Sequence, residues 1–260
     1  MFIGVIMLTP VLIRFANATP RRIELSLLGS PVAMEITGNW LTVAMLTALS
    51  CMGTNAIIRA HPRMSRPDPP RTFTYWILPG FMGLTTGLLL VRAPTWPLWW
   101  AALLLTGSAI TLVVSAEFAT VDPLALGYAR SRLILNVVGY ALACSSFALI
   151  YGTRGRTLVT APAIALVGFI LGFELLNTTE VRYQRSVLYA FLTALILGEC
   201  AWALNYWRLS APAGGMLLLL VFYGSVGISQ QLFLERVTRR TLLEFALVAA
   251  LAFVIILRLG

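Results

Sequence analysis

Apolar runs of roughly 18 to 22 residues, each able to cross a hydrocarbon core of about 30 Å as a helix, recur along almost the whole chain. Short loops bearing arginine separate them. Water cannot satisfy the backbone inside a bilayer, so each run is expected to be helical. Composition points the same way: 59% of the 260 residues are hydrophobic and 11% are charged, against about 25% charged in soluble domains. A water-soluble body with this make-up has too little polar surface to cover its core. The expected fold class is all-α, a polytopic transmembrane helix bundle with about eight spans, a short N-terminal helix and a small extramembrane hairpin.

Two segments follow from the order of the chain, 1–36 and 37–260. MFIGVIMLTPVLI has neither a basic start nor a small-residue cleavage signature before Arg14, which fits a cleaved signal peptide poorly. It reads as a short first helix or a partly inserted anchor. Ile23, Leu25 and Leu27 alternate with polar residues, as do Val32, Met34 and Ile36 with Ala33 and Glu35 beyond a Gly29-Ser30-Pro31 turn, and this period of two predicts a hairpin. The eight spans are expected near 37–58, 73–91, 96–118, 133–151, 158–177, 186–207, 213–233 and 242–258. The longest loop, Arg59 to Thr72, contains Pro62, Pro67, Pro69 and Pro70, which forbid continued helix.

All 19 basic residues are arginine, and their distribution predicts orientation. The loops after the first, third, fifth and seventh spans hold Arg59, Arg63, Arg66, Arg71, Arg130, Arg132, Arg182, Arg185, Arg236, Arg239 and Arg240. The alternate loops hold Arg92, Arg154, Arg156 and Arg208. Eleven against four places the first set in the cytoplasm of a multi-pass protein of the cell membrane, the inner membrane of a bacterium. Arg14, Arg21, Arg22 and Arg258 count against that assignment. Arginines spaced this way between apolar runs do not form a nucleic-acid-reading face, despite a net charge of +9. Arg236, Arg239 and Arg240 are candidates for contact with anionic lipid headgroups.

Polar residues at membrane depth are the candidate ligand or proton sites. Glu199 lies inside the run from Ser186 to Trp207, where a carboxylate costs roughly 2.5 to 3.5 kcal/mol. It is therefore expected to face protein, water or a ligand. Trp202 and Tyr206, three and seven residues on, share its helix face, with Asn205 beside them. Glu174 lies near the cytoplasmic end of the preceding span. Glu117 precedes a turn at Asp122-Pro123, with Asn136 early in the next span and Arg130 and Arg132 as expected counter-ions. A plain interfacial salt-bridge network accounts for this group better than a site does. The tryptophans near span ends fit interfacial anchoring, and the pairs Gly83/Gly87 and Gly168/Gly172 fit close helix packing.

Several chemistries are excluded. Without lysine the chain cannot hold a retinal Schiff base, and with His61 as its one histidine it cannot supply bis-histidine haem ligation or an H-E-x-x-H zinc site. Cys51, Cys144 and Cys200 have no C-x-x-C partner and read as apolar packers, so no metal site is expected and no cofactor is indicated. No phosphate-binding G-x-x-x-x-G-K loop is present, and no catalytic residues are assigned.

The stretches IELSLLGSPVAMEITGNW, TFTYWILPGF, GECAWALNYW and VTRRTLLEFALVA resemble a group of uncharacterised multi-pass membrane proteins from green non-sulfur bacteria. The resemblance implies a bundle of about eight helices and no activity. Three functions stay open: a non-catalytic subunit or assembly factor of a larger membrane complex, such as an energy-converting one; a proton-coupled transporter using Glu199 and Glu174; and a membrane enzyme acting on lipid or isoprenoid substrates through Glu117 and Asp122. The partners expected are membrane lipids and other integral membrane subunits.

Overall fold

A computed structural model describes residues 21–27, 30–36, 38–65, 72–91, 95–122, 124–125, 127–177, 183–207, 209–233 and the single positions 243, 246, 247, 250, 253 and 254. The predicted N-terminal helix before Arg14 and the headgroup candidates Arg236, Arg239 and Arg240 lie outside the described residues. So does most of the predicted span 242–258.

The alternating run forms the predicted hairpin. Strands β1 (Arg21–Leu27) and β2 (Ser30–Ile36) pair antiparallel, from Arg21 opposite Ile36 to Leu27 opposite Ser30. Seven long helices follow among the described residues: α1 (Gly38–Arg59), α2 (Ile77–Val91), α3 (Trp96–Thr120), α4 (Tyr128–Gly152), α5 (Thr157–Leu176), α6 (Tyr183–Asn205) and α7 (Ala211–Phe233). Short 3-10 turns at Pro62–Ser65 and Thr72–Trp76 flank the proline-rich loop. Six helical stretches are long and apolar enough to cross a membrane, which makes this a multi-pass membrane protein. The expected count of about eight is not confirmed among the described residues: Val43–Arg59 is a shorter apolar helix, and the last predicted span is described at only six positions.

By its contacts the chain divides into two compact units, Met1–Ser131 and Arg132–Gly260. In the first, glycines bring α2 against α1. A Cβ at Gly83 would lie 2.8 Å from the Leu46 carbonyl oxygen, and one at Gly87 would lie 2.9 Å from the Val43 Cα. Rising numbers on α2 thus meet falling numbers on α1, so the pair is antiparallel. Hydroxyls that have no water to meet bond back to their own helix, as Thr47 Oγ1 does to the Val43 carbonyl and Ser50 Oγ to that of Leu46, both at 2.8 Å. Thr86 and Thr106 join α2 to α3 through their hydroxyls at 3.2 Å.

In the second unit, α5 packs antiparallel against α6. Gly168 faces Leu197, and Gly172 faces Thr193 and the Ala190 Cα. From the other side α7 meets α4, where a Cβ at Gly215 would come within 2.8 Å of the Ala148 backbone. Phe147 and Phe222, both fully buried, meet edge to face with their ring centres 5.8 Å apart. The most deeply buried aliphatic side chains of the unit are Ile164, Leu171, Leu176, Leu197, Leu218 and Val226.

Candidate functional site

Three groups of polar side chains stand out, and each begins with a helix end or face that the membrane leaves without water. The first is the C-terminus of α5. The last carbonyls of a helix have no partner within it, and inside a membrane protein other side chains must satisfy them. Here three helices supply donors. Arg132 Nη2, from the start of α4, donates to the carbonyls of Glu174 and Asn177, each at 3.3 Å. Gln230 Nε2, from the end of α7, donates to the Leu175 carbonyl at 3.3 Å, and Ser186 Oγ, at the start of α6, donates to that of Leu176 at 3.2 Å.

Glu174 sits within this clasp, 5% exposed. Its Oε1 lies 3.9 Å from Arg132 Nη1, an ion pair looser than a hydrogen bond. Its Oε2 is buried and accepts no hydrogen bond among the described residues. Asn136, half-buried, follows Arg132 by one turn of α4. Order along the chain assigns Arg132 to the acids near residue 120; the structure gives it to Glu174. The arginine count carries a signal for this pairing, because it puts the loops after the third, fifth and seventh spans on one side. Arg132, Glu174, Ser186 and Gln230 all lie next to those loops.

The opposite end of the unit repeats the device with different donors. Tyr151 Oη, with one proton to share, lies 2.6 Å from the Trp207 carbonyl and 3.0 Å from that of Leu204, and Arg154 donates to the Leu209 carbonyl. Asn205 Nδ2 donates to Thr157 Oγ1, so this candidate joins α6 to the start of α5.

The second group is the outward face of α6. Ser186, Ala190, Thr193, Ala194, Leu197 and Ala201 form its single buried stripe. Leu188, Phe191, Leu192, Leu195 and Ile196 are exposed, and Glu199, Trp202 and Tyr206 continue that exposed face. Glu199, expected to face protein, water or a ligand, is exposed and lies off the buried stripe. The apolar run around it packs through small residues on the other side, and the acid is left facing out. Trp202 and Tyr206 share its face as expected, and both are exposed. Glu174 and Glu199 do not form one site. Ser186 is level with Leu176, and Glu199 stands further along α6 by roughly 20 Å at the helical rise.

The third group closes the end of α3 in the first unit. Arg63 Nη1 pairs with Asp122 Oδ1 at 2.8 Å, and the same oxygen accepts the Leu124 N–H at 3.2 Å. Arg63, rather than Arg130 or Arg132, is therefore the counter-ion of Asp122. The ring of His61 meets Phe118 edge-on at 4.5 Å, and its Nδ1 accepts the Arg63 N–H at 3.1 Å. This histidine orders a turn. Glu117 is 1% exposed, among the most buried side chains of the unit. No cluster of three or more metal-binding side chains occurs among the described residues.

A family model described as a protein of unknown function (DUF5656) matches residues 18–259. The chain belongs to the DUF5656 family. Neither a curated protein nor a solved structure matches it. The DUF5656 match runs through the hairpin and all seven described helices, so the clasp at Glu174 and the outward face at Glu199 both lie inside the family region.

Proposed function

We propose that the chain is a non-catalytic integral subunit or assembly factor of a larger complex in the cell inner membrane, and that it docks through the outward face of α6. One observation carries this reading: Glu199 is exposed on an apolar face of a membrane-length helix. It lies about five residues from the centre of α6, or roughly 7.5 Å along the axis, within a hydrocarbon half-thickness of about 15 Å. A carboxylate facing lipid costs up to roughly 2.5 to 3.5 kcal/mol, the figure for the helix centre, and remains unfavourable at that depth. A partner helix removes that cost. The likeness of four stretches to multi-pass proteins of green non-sulfur bacteria supports the same membrane setting.

A proton-coupled carrier is the second reading, and the buried, unsatisfied Oε2 of Glu174 favours it. Glu174 would then be the acid, without Glu199. For an enzyme acting on lipid or isoprenoid substrates, Asp122 would first have to leave Arg63.

Photo-crosslinking tests the docking reading. A benzophenone side chain at Ile196, on the exposed stripe, is expected to give a discrete protein adduct in the native membrane, and the same group at buried Leu197 is not. Lipid adducts alone at Ile196 would refute it.

A further inference from the structure

The outward face of α6 specifies the chemistry of what covers it. We infer that its occupant is a transmembrane helix of another protein that presents a basic side chain, arginine or lysine, to Glu199. The inference rests on the docking reading above and adds the identity of the contact.

Charge complementarity carries it. A neutral hydrogen-bond donor opposite Glu199 leaves the carboxyl either charged in the hydrocarbon or obliged to take up a proton. A basic residue lets it stay ionised with no net charge, and the attraction offsets the insertion cost of both ions, which alone are each expensive at that depth. Trp202, 59% exposed, follows one turn nearer the helix end and offers a ring to the same cation.

A second copy of the chain fits less well. A two-fold contact through this face would set Glu199 against Glu199 at the same depth. A head-to-tail contact offers no better match among the described helices. Their arginines, Arg59 of α1, Arg130 and Arg132 of α4 and Arg185 of α6, all lie closer to a helix end than Glu199 does. Arg132 is also engaged with Glu174 and the α5 carbonyls.

The test uses the full-length chain in its native membrane with the benzophenone at Ile196, and reads adduct yield and the sequence of the crosslinked peptide. Glu199→Asp should keep the adduct. Glu199→Gln and Glu199→Leu should each lower its yield about three- to ten-fold, and Glu199→Arg should lower it further. The crosslinked peptide should come from a different protein and hold an arginine or lysine within one helical turn of the crosslinked residue. Thermal unfolding of each purified variant separates loss of docking from loss of folding. An adduct with a second copy, with residues 234–260 of the same chain, or with a helix lacking a basic residue would overturn the inference while leaving Ile196 in a protein contact. An unchanged yield for Glu199→Leu would overturn it equally. A wild-type chain that gives only lipid adducts would overturn the docking reading itself.

Discussion

Helices α5 and α6 lie side by side, are similar in length, and each bears one glutamate, yet they treat it oppositely. Of the most apolar stretch of each helix, 56% is buried in α5 against 33% in α6. Residues Leu171 to Leu176 are buried in an unbroken run, so α5 has neighbours on every side at that level, while α6 buries one stripe of small residues. Glu174 is accordingly enclosed beside Arg132, and Glu199 faces outward among Leu195, Ile196 and Trp202. An acid inside an apolar run marks a need for a partner. Whether that partner belongs to the same chain depends on which face of the helix bears the acid.

Substitutions can break or sharpen this contrast, and the largest effect is expected at the clasp. Arg132→Ala removes the ion-pair partner of a buried acid and the donor to two carbonyls, and should destabilise the purified protein by about 3 to 5 kcal/mol in a chemical or thermal unfolding measurement. Next comes overpacking between α4 and α7. A methyl at Gly215 meets the Ala148 backbone, which cannot swing aside, so Gly215→Ala should cost about 1 to 3 kcal/mol. Gly168→Ala should cost less, because there the methyl meets the mobile end of Leu197. At the opposite end of the unit, Tyr151→Phe removes the donor shared by two carbonyls and should cost about 1 to 2 kcal/mol, measured the same way. The smallest effect belongs to the outward face. Leu195, 50% exposed, should tolerate Leu195→Ala within about 0.5 kcal/mol in detergent.

The helices are more legible in the sequence than their faces. Runs of membrane length locate α1 to α7 to within a few residues, and a period of two around Gly29-Ser30-Pro31 locates the hairpin. The spacing of Gly83/Gly87 and Gly168/Gly172 marks true packing faces. Gly215, at one of the closest backbone approaches, has no such spacing to announce it. The side of α6 that faces out is hidden for a physical reason. Leucine, isoleucine and phenylalanine suit both a protein core and lipid, so apolar periodicity cannot separate the two in a membrane helix. Small residues can do so: Ser186, Ala190, Thr193, Ala194 and Ala201, with Leu197 among them, trace the buried stripe, and Glu199 lies off it. The clasp is half legible. Glu174 stands out as an acid needing company, but nearness in sequence assigns Arg132 to Glu117 and Asp122, whereas the fold brings it to a helix forty-two residues away.

The most direct test compares Glu174→Leu with Glu199→Leu, each purified in detergent and unfolded side by side with the parent protein. Glu174→Leu should lose about 1 to 3 kcal/mol, because Arg132 loses its ion-pair partner while keeping the α5 carbonyls, while Glu199→Leu should stay within about 0.5 kcal/mol of the parent. If Glu199→Leu unfolded the isolated chain and Glu174→Leu left it unchanged, the assignment of one acid to the interior and the other to a partner would be contradicted.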